Sequence, residues 1–145
     1  MDKLPIDIIR QEIIPYTYQP QSKHLCRDIR SFYNTRDYLC KLYHDRWFHS
    51  LEYEQNADLN WLDNDIIRFV NDDIATMLGY TENCLNKFKR NYSLNNKNQK
   101  QIYYYITKNI LQCDDPKYAI NIQIGILNFE ERIQLVDFAQ SLDFE

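Results

Sequence analysis

Cys40 and His44 stand one helical turn apart, with Cys26 and His49 nearby in sequence. An i, i+4 thiol and imidazole can share a metal ion. A structural zinc site takes four ligands, commonly with a C-x2-C pair, and the four cysteines, 26, 40, 84 and 113, form no close pair. The expectation is therefore four reduced thiols, no metal and no cofactor. Asp72-Asp73 and Asp114-Asp115 offer adjacent carboxylates. Neighbours on a helix point in different directions, so neither pair can act as an acid and base facing one substrate. Asp114-Asp115-Pro116 reads instead as a helix start, where carboxylates meet free N–H groups. No G-x-S-x-G, H-E-x-x-H or phosphate-loop pattern is present. The three histidines have no recognisable partner. These residues predict a protein that binds and does not catalyse.

One segment has the composition of a binding surface. Between Asn83 and Cys113 there is no acidic residue, while Lys87, Lys89, Arg90, Lys97, Lys100 and Lys108 all fall within it. The rest of the chain must carry about −10 to reach the net −4. Phe88, Tyr92 and Tyr103-Tyr104-Tyr105 alternate with these cations. Cations that grip phosphate beside rings that stack on bases are the equipment of single-strand binders. Lys87, Lys89, Arg90, Lys97, Lys100 and Tyr104 are the candidate nucleic-acid contacts. The competing reading makes the tyrosines core and the lysines a solvated face.

The elements that must position these residues are helices. Pro5 suits the first turn of a helix from Leu4 to Ile14, with Ile6, Ile9 and Ile13 on one face and Pro15 as its stop. Ser22 can cap a second helix bearing Leu25, Ile29 and Phe32. Thr35 can cap a third, bearing Tyr38, Leu39, Leu42, Tyr43 and Trp47. The polar, acidic stretch 49–60 reads as a loop. Asp63 opens a fourth helix through Ile66, Ile67, Val70, Ile74, Met77 and Leu78, ended by Gly79. Thr81 caps the next, with Leu85, Phe88 and Tyr92 inward. After a polar turn at 93–98 a helix carries Ile102, Tyr105, Ile106 and Ile110.

Residues 116–127 fit a strand by alternation and a helix by the spacing of Ala119, Ile122 and Ile126. Helix is preferred, because Gly125 repeats the punctuation of Gly79 as a left-handed stop and a lone strand would lack a partner. Asn128 and Glu131 have capping-box spacing. They start a last helix expected to bury Phe129, Ile133, Val136 and Phe138 or Ala139. The prediction is an all-α, single compact domain of about seven short helices.

Composition sets the outer bounds. The 145 residues are 44% hydrophobic and 26% charged, an ordinary globular balance. No run approaches the ~18 apolar residues of a membrane span, and the N-terminus has no apolar signal region, so a cytoplasmic protein with no membrane partner is expected. Two glycines and twelve tyrosines, amid abundant Ile, Asn and Lys, are the mark of an AT-rich genome. So little glycine also argues against glycine-rich phosphate loops and multi-turn β architecture.

The segment Leu4-Pro5-Ile6-Asp7-Ile8-Ile9-Arg10-Gln11-Glu12-Ile13-Ile14-Pro15-Tyr16 resembles the opening of an F-box. That motif begins with Leu-Pro, an acid and two aliphatics, followed by another aliphatic pair, an aromatic, a proline turn and a second amphipathic helix, as from Pro20 to Phe32 here. Pro-Tyr-Thr-Tyr at 15–18, with the Pro-Gln and Asp-Ile that follow, is similar to F-box-like proteins of large AT-rich DNA viruses. The resemblance covers about 45 residues. It implies an N-terminal three-helix unit over residues 1–48, and a helical partner-binding segment over 49–145 packed on it. It also implies docking on a Skp1-type adaptor, and so recruitment of a target to a cullin ubiquitin ligase. Leu4, Pro5, Ile8, Ile9, Ile13 and Ile14 match the adaptor-facing or unit-packing positions, and Trp47 the family's late tryptophan. The gap between the aliphatic pairs is one residue longer than the family's, and no repeat array follows the motif.

Overall fold

The computed structural model describes residues 6–8, 11, 21–47 and 57–142. They form α1 (Ile6–Ile8), α2 (Lys23–Trp47), α3 (Ala57–Val70), α4 (Glu82–Phe88), α5 (Gln99–Ile106), α6 (Pro116–Gly125) and α7 (Phe129–Ser141). A 3-10 turn, Thr76–Leu78, precedes α4, and α5 runs on into a π turn at Thr107–Leu111. There is no strand among the described residues, and the fold is all-α as expected. The ambiguous stretch 116–127 is the helix α6, whose N–H groups at Lys117 and Tyr118 are capped by the Asp115 carboxylate.

The expected break between a second and a third helix does not exist. The amide of Leu25 donates to the Ser22 hydroxyl, which caps α2, and the helix then continues unbroken for 25 residues. Thr35, read as a cap, lies inside α2 and is buried with Leu39 and Tyr43. A threonine keeps helical geometry when packing rewards it, and its cap preference is only a weak prior. Residues 23–47 are thus one helix and not the expected two.

α3 is the spine of the core. It packs on α2, α6 and α7, while α2 also lies against α6 and α7. Leu59, Leu62, Ile66, Ile67 and Val70 give it a buried face at helical spacing. Ile102, Ile106 and Ile110 close one side, and Ile120, Ile124, Leu127 and Leu135 the other. α3 begins six residues earlier than Asp63, inside the stretch read as a loop.

It also ends earlier, at Val70, and the reason is Asn71. This fully buried amide donates to the carbonyls of Ile74 (2.7 Å) and Gly79 (2.9 Å) and accepts from the Thr81 N–H (2.9 Å). It holds the chain in a closed loop that the helix cannot enter. Asp72 and Asp73 take left-handed φ of 56° and 63°, and Gly79 has φ 108°, ψ −175°, a region open essentially to glycine alone. Met77 and Leu78, expected inside a helix, stand 89% and 79% exposed on this loop. Gly125 is not left-handed, since it is the last residue of α6.

Three further positions differ from the sequence reading. Tyr92, expected inward, is 90% exposed. Leu94, inside the polar turn, is buried. The buried face of α7 is Arg132, Leu135 and Ala139, leaving Ile133 and Phe129 outward. The capping box that starts α7 forms as its spacing predicts, with Asn128 and Glu131 satisfying each other's N–H.

Candidate interaction surfaces

Of the six residues matched to adaptor contact, Ile8 falls in α1 and is exposed, together with Ile6. Leu4, Pro5, Ile9, Ile13 and Ile14 lie outside the described residues. Trp47 closes α2 by stacking on Trp61 of α3, ring centroids 5.7 Å apart.

The N-terminal half of α2 lies on the surface. No residue from Lys23 to Asn34 is buried, whereas Thr35, Leu39 and Tyr43 anchor the second half. Leu25, Ile29 and Tyr33 recur at four-residue spacing and are exposed, so they form one apolar stripe along three turns. Lys23, Arg27 and Arg30 form a second row at i, i+4, i+7. At 100° per residue it lies about a third of a turn round the helix from the first. An open cleft of about 540 Å³ is lined by these three cations together with Cys26, Asn34 and Phe129.

The described arginines divide sharply. Arg36, Arg68, Arg90 and Arg132 each pair with a carboxylate, and Arg46 donates to the Ala139 carbonyl at 2.9 Å. Arg27 stacks over the Phe129 ring at 4.5 Å, and among the described residues neither it nor Arg30 has a hydrogen-bond partner. The sequence carried this signal in its i, i+4, i+7 spacing. Asp28, inside the row, hid it by making the local charge look more balanced.

The basic span is partly spent inside the protein. Lys87 is buried, not on a surface. Its ammonium donates to the Val70 carbonyl (3.1 Å) and the Asp72 carboxylate (3.3 Å). Burial pushes the Asp72 carboxyl up, but hydrogen bonds from Thr81 and Asn83 and the nearby Lys87 charge outweigh it and hold Asp72 below its ordinary value. Arg90 forks onto Glu131 and donates to the Ile126 carbonyl (3.1 Å), tying α4 to α7. Burial raises Glu131 too, and the Arg90 bonds and charge again reverse the sign. Lys89, Lys97, Lys100 and Tyr104 remain on the surface, and the Lys108 ammonium donates to Gln112 (3.0 Å).

The groups that could have done acid–base or metal chemistry have structural surroundings. His44 faces the Asp58 carboxylate at 3.4 Å. Burial pushes the Cys40 thiol up, and the Cys84 thiol up to about 12, so neither is a thiolate at neutral pH. Asp73 pairs with Arg68, and Asp115 caps α6. Among the described residues no three His, Cys, Asp or Glu side chains cluster as metal ligands, and no helix is long and apolar enough to cross a membrane. His49 lies outside the described residues. No protein-family model, curated protein or solved structure matches this chain.

Proposed function

We propose that this chain is a non-enzymatic protein–protein interaction protein. In this reading its F-box-like N-terminus docks on a Skp1-type adaptor, in the cytoplasm of a cell infected by an AT-rich DNA virus, and brings a target to a cullin ubiquitin ligase. One observation carries the interaction reading: the exposed apolar stripe Leu25, Ile29 and Tyr33, in the segment that follows the Leu-Pro motif. Aliphatic and aromatic side chains repeated on one exposed helix face favour a protein partner over solvent. The continuity of α2 departs from the family's separate second and third helices, so the adaptor would meet a rod where the family offers a bend.

Co-expression with a Skp1-type protein tests it. Capture should be lost in Leu4→Ala/Pro5→Ala while circular dichroism keeps its helical signal. Capture that survives this double change, or no capture of any Skp1-type protein, sinks the adaptor reading and leaves a helical interaction protein of another kind.

A second reading rests on Tyr104 and Tyr92, exposed beside Lys89, Lys97 and Lys100. Rings left in water next to cations are what a single strand would stack on. With Lys87 and Arg90 engaged internally, no more than four cations of the span remain. The salt dependence of single-strand affinity should therefore not exceed a slope of about −3. No binding at about 50 mM salt, where attraction to phosphate is strong, would eliminate this reading.

A further inference from the structure

We infer that the first three turns of α2 are a docking surface for an acidic amphipathic helix of a partner protein. The partner's carboxylates would lie on Lys23, Arg27 and Arg30, and its apolar side chains on Leu25, Ile29 and Tyr33.

Charge complementarity names the occupant. The chain is net negative and has carboxylates enough to pair its arginines, and in the described part it does so for Arg36, Arg68, Arg90 and Arg132. Among the described residues Arg27 and Arg30 are left without such a partner, on one face, one and two turns from Lys23. Their guanidinium groups are forks suited to carboxylate oxygens. The stacking of Arg27 on Phe129 fixes the middle of the row without using its N–H donors. Three cations over two turns repeat at about the spacing of carboxylates on one face of a facing helix. The neighbouring apolar stripe supplies what a polyanion has no use for, which selects an amphipathic protein segment over a nucleic acid. The inference shares the apolar stripe with the adaptor reading, but it does not require the Leu-Pro motif.

The test uses the full chain and a fluorescein-labelled 18-residue peptide with Leu on one helical face and Glu on the adjacent face. Fluorescence anisotropy should show saturable binding at about 50 mM salt that weakens at least tenfold at about 500 mM. Lys23→Glu/Arg30→Glu should weaken it at least tenfold. Neither side chain has a partner among the described residues, so the melting temperature should hold. Leu25→Ser/Ile29→Ser should weaken it too, and Lys89→Glu/Lys97→Glu should not. A version of the peptide with Lys for Glu should bind the charge-reversed protein better than the wild type. Leu4→Ala/Pro5→Ala should leave peptide binding intact, so failure of the adaptor reading and failure of this one are separable. Three results overturn the inference: no binding by the wild type, equal loss in the Lys89/Lys97 control, or tighter binding of a single-stranded oligonucleotide abolished by the same Lys23/Arg30 change.

Discussion

Arg132, near the chain's end, donates to both the backbone carbonyl (3.0 Å) and the carboxylate (2.7 Å) of Asp28, 104 residues earlier. Its Nε donates to the Ile124 carbonyl at 3.2 Å. One guanidinium, its side chain 3% exposed, thereby joins α2, the end of α6 and α7. Arg132→Ala should leave two carbonyls and a carboxylate without their donor and open a cavity, at about 3–5 kcal/mol. Asp28→Asn keeps an acceptor oxygen in place and should cost about 1 kcal/mol. Urea unfolding of the two variants checks the order, and equal losses would contradict it.

The Asp63 carboxyl accepts from the Gln123 amide, and Gln123 Oε1 is buried with no partner among the described residues. Burial pushes Asp63 up to about 6, against the opposing hydrogen bond from Gln123. The folded state therefore holds a proton that the unfolded chain, with an ordinary pKa of 3.8, releases. This contribution to stability is complete below the unfolded pKa and is lost as pH rises through about 6. In Asp63→Asn, the new amide can both accept from Gln123 and donate to Oε1. Stability at pH 7.5 should rise by about 1 kcal/mol, and Asp63's share of the pH dependence between 4 and 7 should vanish. A thermal melt series across that range measures it. Asp72 and Glu131, both held low, act with the opposite sign, losing their contribution as pH falls through the carboxylate range.

Lys87 and Lys89 are two residues apart in sequence and should behave as unrelated sites. Lys87→Glu places a second carboxylate against Asp72 in a buried setting and should cost about 3–5 kcal/mol. Lys89→Glu, fully on the surface, should stay within about 0.5 kcal/mol of wild type. Any nucleic-acid test that reverses both together would report unfolding and not recognition.

Asn71→Ala removes the three hydrogen bonds its side chain makes across the 71–81 loop, and should destabilise by about 2–3 kcal/mol. Gly79→Ala should cost about 1–3 kcal/mol, because φ 108° is strained for any side chain. Met77→Ser and Leu78→Ser, on the exposed crest of the same loop, should be nearly neutral. Denaturant midpoints for the four variants decide between a braced loop and a helix end that merely frays.

The all-α class was legible because local signals carried it. Ser22, Thr81, Asp115 and the Asn128–Glu131 box all cap as their residue types suggest. What was not legible depended on distant partners. The face of α7 is set by Arg132, whose acceptors lie on α2 and α6, so Phe129, Ile133 and Val136 read as the inner stripe until those partners are known. Thr35 carries the same side chain whether it caps a helix or sits within one, and its burial against the core decides. Asn71 and Lys87 are polar residues that sequence places outside, yet each is buried and satisfied by groups up to 17 residues away. The Lys23–Arg27–Arg30 row needed only the knowledge that no group among the described residues claims its donors.

An unbroken α2 also makes a lever. At 1.5 Å per residue its 25 residues span about 37 Å. The far end is gripped where Tyr43 donates to Asp65 at 2.6 Å and Trp47 stacks on Trp61. From Arg27 to Tyr43 the axis runs about 24 Å with no joint in it. Force or torque applied by anything seated at the near end would pass both through the Asp28–Arg132 tie to α7 and along the rod to α3, so a load there is felt at the core and not absorbed in a hinge.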